Sequence, residues 1–401
     1  MTGARTPGAR RWFRRSALVA TAAGVVLAVT ATSAVAATTD GFNPGPERLI
    51  DTRIDLPDRP AGQADGFLQT QLPDSVADGD SALLSVTVVD PTTSGFIKVY
   101  ADGNPFPATS DVNFVAGATV AQAVLVEAAP DATGKIDLFI GGNSAPIDLV
   151  VDVVGSFPAA SYTSLTTAVR TFDTRAPAVN TTAGKKGTGI YQVALPAGEN
   201  GIPDDAQAVA VTVTQVGAEG SGYVAALTDG VATGTSSVNY TSSSINSNLV
   251  FVKPNNGRIF LQVSGAPTDL IVDVKGYTLS QAVTAQSPER TFDSRTLAGG
   301  GLLGPNTTVD IPLTANAPEG ADFAILNVTS TESTFGGYLA SYQAQGQQLQ
   351  TSNLNWQPGQ NVAGFVLAPI TDGKAQIYIG VGATKVVADI EGYVVNTPTD
   401  N

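Results

Sequence analysis

Four short motifs recur in the same order three times along the chain, and this repeat constrains the fold more than any other feature. The opening motif reads R-x-x-D-[TS]-R, and its central aspartates are spaced by 122 and 120 residues. A closing motif, [VA]-D-[VI]-x-G, places a second aspartate 101, 100 and 96 residues after the first. A unit of about 120 residues is large enough to bury its own core, so each unit is predicted to be a domain rather than a solenoid turn. The opening motifs span residues 48–53, 170–175 and 290–295.

Two further motifs lie between the opening and the closing one. The first is a glycine followed by an aromatic residue, and the second is an asparagine between an apolar and an aromatic residue. The three domains are predicted to span residues 41–158, 159–279 and 280–397, joined by short polar linkers. The motif pairs are Gly95-Phe96 with Asn113-Phe114, Gly222-Tyr223 with Asn239-Tyr240, and Gly337-Tyr338 with Asn355-Trp356.

Short β-branched runs separated by Asp-Gly and Asn-Gly turn signals predict strands throughout each unit. Sustained helical periodicity is not found after the first 36 residues. Seven or eight short strands per unit favour an all-β fold of three tandem β-sandwich domains with a Greek-key or jelly-roll-like path. A small barrel is the alternative. An extended string and a compact pseudo-threefold cluster of the units suit the sequence equally.

Residues 1–36 have the pattern of a cleavable signal peptide: five arginines, an apolar stretch and an A-x-A site, without an acidic residue. We therefore expect a secreted protein, free or held at the cell surface, exported by the Sec or the twin-arginine route. The sequence after the signal peptide contains no second long apolar span, so we predict no integral membrane segment. The remaining chain has 16 basic and 35 acidic residues and no cysteine. This acidic surface is unsuited to nucleic acid, and stability must come from core burial rather than disulfides.

Six of the eight arginines after the signal peptide belong to the opening motifs. The closing aspartate lies in a nearly continuous apolar strand, where a charge needs a hydrogen-bonded partner. Arginine meets a carboxylate through two parallel bonds, so we expect each closing aspartate to pair with a motif arginine of its own repeat. A binding site for an anionic sugar or carboxylate is the alternative. The residues concerned are Arg48, Asp51, Arg53 and Asp152; Arg170, Asp173, Arg175 and Asp273; and Arg290, Asp293, Arg295 and Asp389.

The motif aromatics have two interpretations. A position that accepts Phe, Tyr or Trp beside an apolar neighbour is typical of a core. An exposed aromatic platform for a sugar is the alternative. The ligand-facing candidates on that interpretation are Phe114, Tyr240, Trp356, Tyr223 and Tyr338.

Catalysis has few candidate groups in this sequence. The chain has no histidine and no cysteine, which excludes Ser-His-Asp and Cys-His nucleophiles and ordinary zinc sites. Glycoside hydrolysis needs only two carboxyl groups, but pairing with arginine lowers a pKa whereas a general acid needs a raised one. We therefore predict no enzymatic activity, no cofactor and no metal site.

The combination of R-x-x-D-T-R, V-N-[FY] and V-D-V-x-G-Y resembles a tandem repeat of secreted and cell-surface proteins of actinobacteria. The resemblance covers the whole chain after the signal peptide, and repeat 2 matches it residue by residue. It implies an accessory or surface module without assigned chemistry, and no binding or catalytic residue carries over.

Together these observations predict a secreted, non-enzymatic structural or adhesive surface protein. An extracellular carbohydrate-binding protein for cell-wall glycan is the second hypothesis, and an acidic secreted glycosidase is the third. The expected partners are cell-wall glycan or another surface protein. The oligomeric state is left open.

Overall fold

β-Strands and turns alternate along the chain in the computed structural model, which describes residues 39–54, 66–128, 133–142, 145–198, 201–299, 301–341 and 352–398. The predicted signal peptide lies outside these ranges. The eight strands of repeat 1 follow the short β1 (Thr39–Asp40). They are β2 (Asn43–Asp51), β3 (Gly66–Gln71), β4 (Ser81–Val89), β5 (Gly95–Ala101), β6 (Val112–Phe114), β7 (Val120–Glu127), β8 (Lys135–Gly141) and β9 (Asp148–Phe157).

Repeat 2 has the same eight strands, whereas two pairs of them are fused in repeat 3. Repeat 2 contains β10 (Thr163–Asp173), β11 (Gly189–Ala194), β12 (Ala208–Val216), β13 (Gly222–Leu227), β14 (Val238–Tyr240), β15 (Ile245–Val252), β16 (Arg258–Gly265) and β17 (Asp269–Thr278). Repeat 3 contains β18 (Val283–Asp293), a 3-10 turn (Ser294–Thr296), β19 (Thr307–Pro312), β20 (Phe323–Ser341), β21 (Leu354–Trp356), β22 (Val362–Thr371) and β23 (Lys374–Val394). The final strand, β24 (Thr397–Pro398), pairs with β1. The expectation of seven or eight strands in every unit is thus wrong for repeat 3.

Each of the first two repeats folds into two four-stranded antiparallel sheets. The inner sheet contains the opening and closing motifs and has the order β2-β9-β4-β7 in repeat 1 and β10-β17-β12-β15 in repeat 2. The outer sheet has the order β3-β8-β5-β6 and β11-β16-β13-β14. In repeat 3 the long strands β20 and β23 run through both positions and join them into one six-stranded sheet.

The two sheets of a repeat enclose a core of their own. In repeat 1, Leu84 and Val86 of the inner sheet and Ile97 and Leu138 of the outer sheet belong to one buried cluster. Repeats 2 and 3 have corresponding clusters. Alternate residues of each strand fill these cores, as the pleat of a β-strand dictates.

The opposite face of each inner sheet is also buried, because the three repeats share a fourth cluster. Phe157 of repeat 1, Phe251 of repeat 2 and Phe365 of repeat 3 belong to it. The ring centroids of Phe157 and Phe251 lie 5.9 Å apart, and those of Phe251 and Phe365 lie 5.8 Å apart. Strands β7, β15 and β22 contact one another pairwise around this cluster. Residues 38–401 form one compact unit, so the repeats are arranged as a pseudo-threefold cluster and not as an extended string.

We expect residues 37–401 to unfold in one cooperative transition, because the shared cluster couples all three repeats. Phe251→Ala should lower the free energy of unfolding by about 3–5 kcal/mol, since Phe251 is fully buried in that cluster. Phe335→Ala is the matched control: Phe335 is 70 % exposed and its loss should change stability by less than about 0.5 kcal/mol. Differential scanning calorimetry measures both effects. Three separate transitions in the wild-type protein would contradict the coupling.

Candidate functional site

The opening and closing motifs lie opposite each other on adjacent strands of the inner sheet. Arg48, Arg170 and Arg290 are in register with Asp152, Asp273 and Asp389. The Nε–Oδ1 distances are 2.5, 2.8 and 2.8 Å, and the Nη2–Oδ2 distances are 3.4, 3.1 and 3.1 Å. All three pairs are therefore bidentate. The aspartate side chains are 1–2 % exposed, so each guanidinium is matched to a carboxylate that water barely reaches.

The second arginine of each opening motif folds back on the motif aspartate. Arg53, Arg175 and Arg295 bind Asp51, Asp173 and Asp293 with Nη2–Oδ2 distances of 2.6, 2.7 and 2.6 Å. The backbone N–H of the same arginine donates to Oδ1, which closes an Asx turn at the strand end. All six motif arginines are therefore engaged with carboxylates.

The two sets of aspartates differ in pKa. Hydrogen bonds from Arg53 and Arg295 hold the pKa of Asp51 and Asp293 below its ordinary value. At Asp173, burial raises the pKa, but the hydrogen bonds from Arg175 and the charges of Arg175 and Arg170 outweigh burial. The pKa of Asp173 is therefore also below its ordinary value. At Asp152 and Asp389, burial outweighs the arginine and raises the pKa. The expectation that arginine pairing lowers the pKa of all recurrent aspartates is wrong for these two, because the inner sheet is covered on both faces.

The inner sheet of each repeat packs against another repeat. The inner sheet of repeat 1 contacts repeat 3, that of repeat 3 contacts repeat 2, and that of repeat 2 contacts repeat 1. Ser85 Oγ of repeat 1 donates to the Ser352 carbonyl of repeat 3 at 2.6 Å. Asp389 of repeat 3 accepts a bond from the backbone N–H of Ser236 in repeat 2 at 3.3 Å. Lys275 of repeat 2 forms a buried ion pair with Asp111 of repeat 1. The three interfaces thus close a ring.

The same position has different chemistry at each interface. Two residues after the closing aspartate, the repeats carry Val154, Lys275 and Glu391. Lys275 pairs with Asp111, whereas Glu391 hydrogen-bonds to Ser237 and its Oε2 has no partner. Burial and the nearby Asp389 carboxylate raise the pKa of Glu391 well above its ordinary value. A residue that fits one interface would therefore be left unpaired at another, which favours a single order of the repeats.

Sequence reasoning missed the residues on the other side of these interfaces. Asp111, Ser237 and Asn353 each precede the asparagine motif, and each side chain accepts a backbone N–H of the adjacent strand at 2.7, 3.0 and 2.6 Å. A polar residue recurring at this place in all three repeats was the available signal.

The aromatic residues of the asparagine motif are buried. Phe114, Tyr240 and Trp356 are 1–2 % exposed and belong to the cores of their own repeats. A Cβ atom on the motif glycine opposite would lie 2.7, 2.6 and 2.8 Å from the nearest ring atom, at Gly95, Gly222 and Gly337 respectively. The glycine therefore makes room for the ring, which explains why the two motifs occur together. The ligand-facing alternative is wrong for Phe114, Tyr240 and Trp356.

Tyr223 and Tyr338 are half-buried, as is Phe96. Tyr338 lines a cleft of about 280 Å³ between repeats 3 and 1, together with Arg48, Arg53 and Asp152. Both arginines in this cleft already donate to carboxylates, so an anionic ligand would have to compete with Asp51 and Asp152. The structure thus brings Arg48 and Arg53 close to Tyr338, but the charges of the two arginines are already neutralised by Asp51 and Asp152.

A cluster of aromatic side chains lies on the outer sheet of repeat 1, and we name it the aromatic patch. Phe67 and Phe106 are 61 % and 52 % exposed. Their ring centroids both lie 5.0 Å from that of Phe139. The cross-strand pair Phe67–Phe139 corresponds to Ile190–Gln262 in repeat 2 and Thr308–Tyr378 in repeat 3, so the patch belongs to repeat 1 alone. Its members are Phe67, Phe96, Tyr100, Phe106 and Phe139.

A second concave site lies where β7, β15 and β22 begin, and we name it the axial cup. It has a volume of about 440 Å³ and receives one corresponding segment from each repeat, within residues 115–122, 238–247 and 355–363. The described residues that line it are all uncharged. Neither the axial cup nor the aromatic patch was predicted from the sequence.

Among the described residues, no three His, Cys, Asp or Glu side chains are grouped so as to hold a metal ion. In the same part of the chain, no helix has the length and apolar character needed to cross a membrane.

Arg170→Ala should destabilise the protein by about 3 kcal/mol, because Asp273 would remain buried without its partner. Arg258→Ala is the control, since Arg258 lies outside the motifs; its effect should stay within about 0.5 kcal/mol. Urea unfolding measures both variants. An unchanged unfolding midpoint for Arg170→Ala would show that the pair contributes nothing to stability.

Glu391→Gln should stabilise the protein at pH 7 and have little effect near pH 4. A carboxyl group whose pKa is raised on folding leaves stability intact below its unfolded pKa of about 4.5 and removes stability as the pH rises above that value. The amide cannot ionise, so the penalty disappears. Thermal unfolding between pH 4 and pH 8 tests this, with Glu319→Gln as the control at an exposed site. A parallel pH profile for wild type and Glu391→Gln would contradict the assignment.

Comparisons with known proteins identify no family for this chain. No family model matches it, and no curated protein matches it. Among solved structures, it matches a chain from the atomic structure of Sulfolobus Turreted Icosahedral Virus at 9 % identity, covering 90 % of this chain and 92 % of that one, with a TM-score of 0.21. A chain from the triple jelly roll fold and turret assembly of an archaeal virus matches at 8 % identity, covering 88 % and 91 %, also with a TM-score of 0.21. Similarity at this level supports no argument about fold or function.

Proposed function

We propose that the chain is a secreted, non-enzymatic protein of the bacterial cell exterior that acts as a structural and adhesive module. The observation that carries the proposal is the aromatic patch on the outer sheet of repeat 1. Exposed clusters of large apolar side chains mark interaction sites on otherwise soluble proteins. Two of its rings are more than half exposed, and both pack against the same third ring, that of Phe139.

The architecture we propose is three tandem β-sandwich domains, at 41–158, 159–279 and 280–397, behind a signal peptide at 1–36. The paired sheets that enclose a separate core in each of the first two repeats support it, as does the separate core of repeat 3. The shared cluster then joins the three units into one compact unit, which suits a structural role at a surface. The buried motif residues support a structural role for the repeat itself.

Adhesion rather than nucleic-acid binding follows from the charge of the chain. The formal net charge is −14, and the basic residues of the motifs are neutralised by their aspartates. The aromatic patch contains only apolar rings and one tyrosine, so its contacts gain most of their free energy from burial of apolar area. We therefore propose a surface protein as its partner.

The test compares retention of residues 37–401 on actinobacterial cell envelopes for wild type and the double variant Phe67→Ser/Phe106→Ser. We expect the wild type to sediment with the envelopes and the double variant to lose at least about tenfold in affinity, because the two most exposed rings of the patch are removed. Phe335→Ser is the matched control, since Phe335 is also an exposed phenylalanine but lies in repeat 3.

Protease treatment of the envelopes before the assay identifies the partner. Loss of binding after proteolysis supports a protein partner, and binding that survives it contradicts this part of the proposal. If the double variant sediments like the wild type, the aromatic patch is not the adhesive surface. Unchanged melting temperatures of all variants confirm that folding is not the cause of a difference.

A further inference from the structure

We infer that the axial cup binds the end of an uncharged, hydroxyl-rich chain, namely a neutral oligosaccharide. This inference goes beyond the adhesive function and uses a different surface from the aromatic patch. The volume of about 440 Å³ lies within the range of about 300–1,000 Å³ that is usual for ligand sites.

The lining of the axial cup selects against ions and favours hydroxyl groups. Its polar side chains carry only hydroxyls and amides, on a chain with 56 ionisable Lys, Arg, Asp and Glu residues. A sugar hydroxyl both donates and accepts a hydrogen bond, and side-chain amides and hydroxyls offer both functions. Among these polar residues are Gln122, Ser242, Asn246, Ser247 and Asn361.

The base of the cup contains a buried polar group without a partner. Ala121, Ser247 and Ala363 occupy corresponding positions, opposite Thr87, Thr214 and Thr329 on the neighbouring strands, and are 2–6 % exposed. The Ser247 hydroxyl makes no hydrogen bond. A buried hydroxyl without a partner is unfavourable by roughly 1–3 kcal/mol, and a ligand hydroxyl would satisfy it.

Further hydrogen-bonding capacity is available around Ser247. Gln122 is 6 % exposed and lines the cup. Asn246 uses its Nδ2 on the Asn239 carbonyl at 2.8 Å. Asn361 uses its Oδ1 to accept from Thr331 at 2.5 Å. The Asn246 oxygen and the Asn361 nitrogen therefore remain as one acceptor and one donor from two different repeats.

The position of the cup favours a saccharide end over a peptide. It lies among three converging loops, whereas an extended peptide is bound along an open strand edge. It also lacks a charged group that would pair with a peptide terminus. The aromatic residues of the asparagine motifs are buried in the cores, so the contacts with the ligand are hydrogen bonds and not ring stacking.

Isothermal titration calorimetry of residues 37–401 with neutral oligosaccharides tests the inference, using cello-, malto- and chito-oligosaccharides as probes and oligogalacturonate as the charged comparison. We expect at least one neutral probe to bind and the charged one not to bind. Ser247→Ala should weaken binding about threefold to tenfold, because one hydrogen bond to the ligand is lost. This variant removes only an unpartnered hydroxyl, so it should not reduce thermal stability.

Ser242→Trp blocks the mouth from an exposed loop position and should abolish binding. Ser287→Trp is the matched control, because Ser287 is exposed on β18 and does not line the cup. The inference is overturned if no neutral probe binds, or if binding survives Ser242→Trp. It is equally overturned if Phe67→Ser/Phe106→Ser abolishes saccharide binding, since the ligand would then lie on the aromatic patch. Loss of envelope adhesion in that double variant with saccharide binding intact separates the two proposals.

Discussion

The structure depends on inner sheets that are buried on both faces. One face of β4, β12 or β20 packs on the core of its own repeat, and the other packs on the cluster shared by all three. A single repeat would expose Phe157, Phe251 or Phe365 together with the apolar residues around it. Because such a face is unfavourable in water, the repeats associate, and three inner sheets close around a common centre.

The arginine–aspartate pairs allow the closing aspartate to lie in an inner sheet that is buried on both faces. The closing aspartate occupies the central strand of a sheet that water does not reach, and the arginine of the adjacent strand supplies two parallel hydrogen bonds. The arginine side chain remains 26–36 % exposed, so only the aspartate of each pair is almost fully removed from water. The pair thus joins the first and last strands of a repeat at the border between its core and the next repeat.

The three repeats differ from one another at their interfaces and at the two proposed binding surfaces. Val154, Lys275 and Glu391 make the three interfaces unequal, which specifies the order of the repeats. The aromatic patch occurs on repeat 1 only. The axial cup receives corresponding segments from all repeats, yet its base has an alanine in repeats 1 and 3 and a serine, Ser247, in repeat 2. The aromatic patch therefore arises from a difference between the repeats, whereas the axial cup combines corresponding segments of all three repeats with a base that differs between them.

Much of the fold was predictable from local pattern. The β-branched runs between turn signals predicted strands throughout each unit, and the structure has such strands in all three repeats, for example Ser81–Val89 and Ala208–Val216. Strand periodicity and turn residues act over a few positions, which a sequence shows directly. The fusion of strands in β20 and β23 was not predictable, because it depends on whether a turn forms between two runs that both favour the extended state.

The sequence alone determined the all-β class, the threefold repeat, and the need of each closing aspartate for a cationic partner, since these follow from composition, spacing and the unfavourable burial of a charge. Only the tertiary structure decided which arginine faces which aspartate, which aromatic rings are buried, and where the axial cup and the aromatic patch lie. The reason is that these features depend on side chains far apart in the chain. The order of strands in each sheet and the ring of repeats decide which of these side chains come into contact, and neither leaves a periodic signal in the sequence.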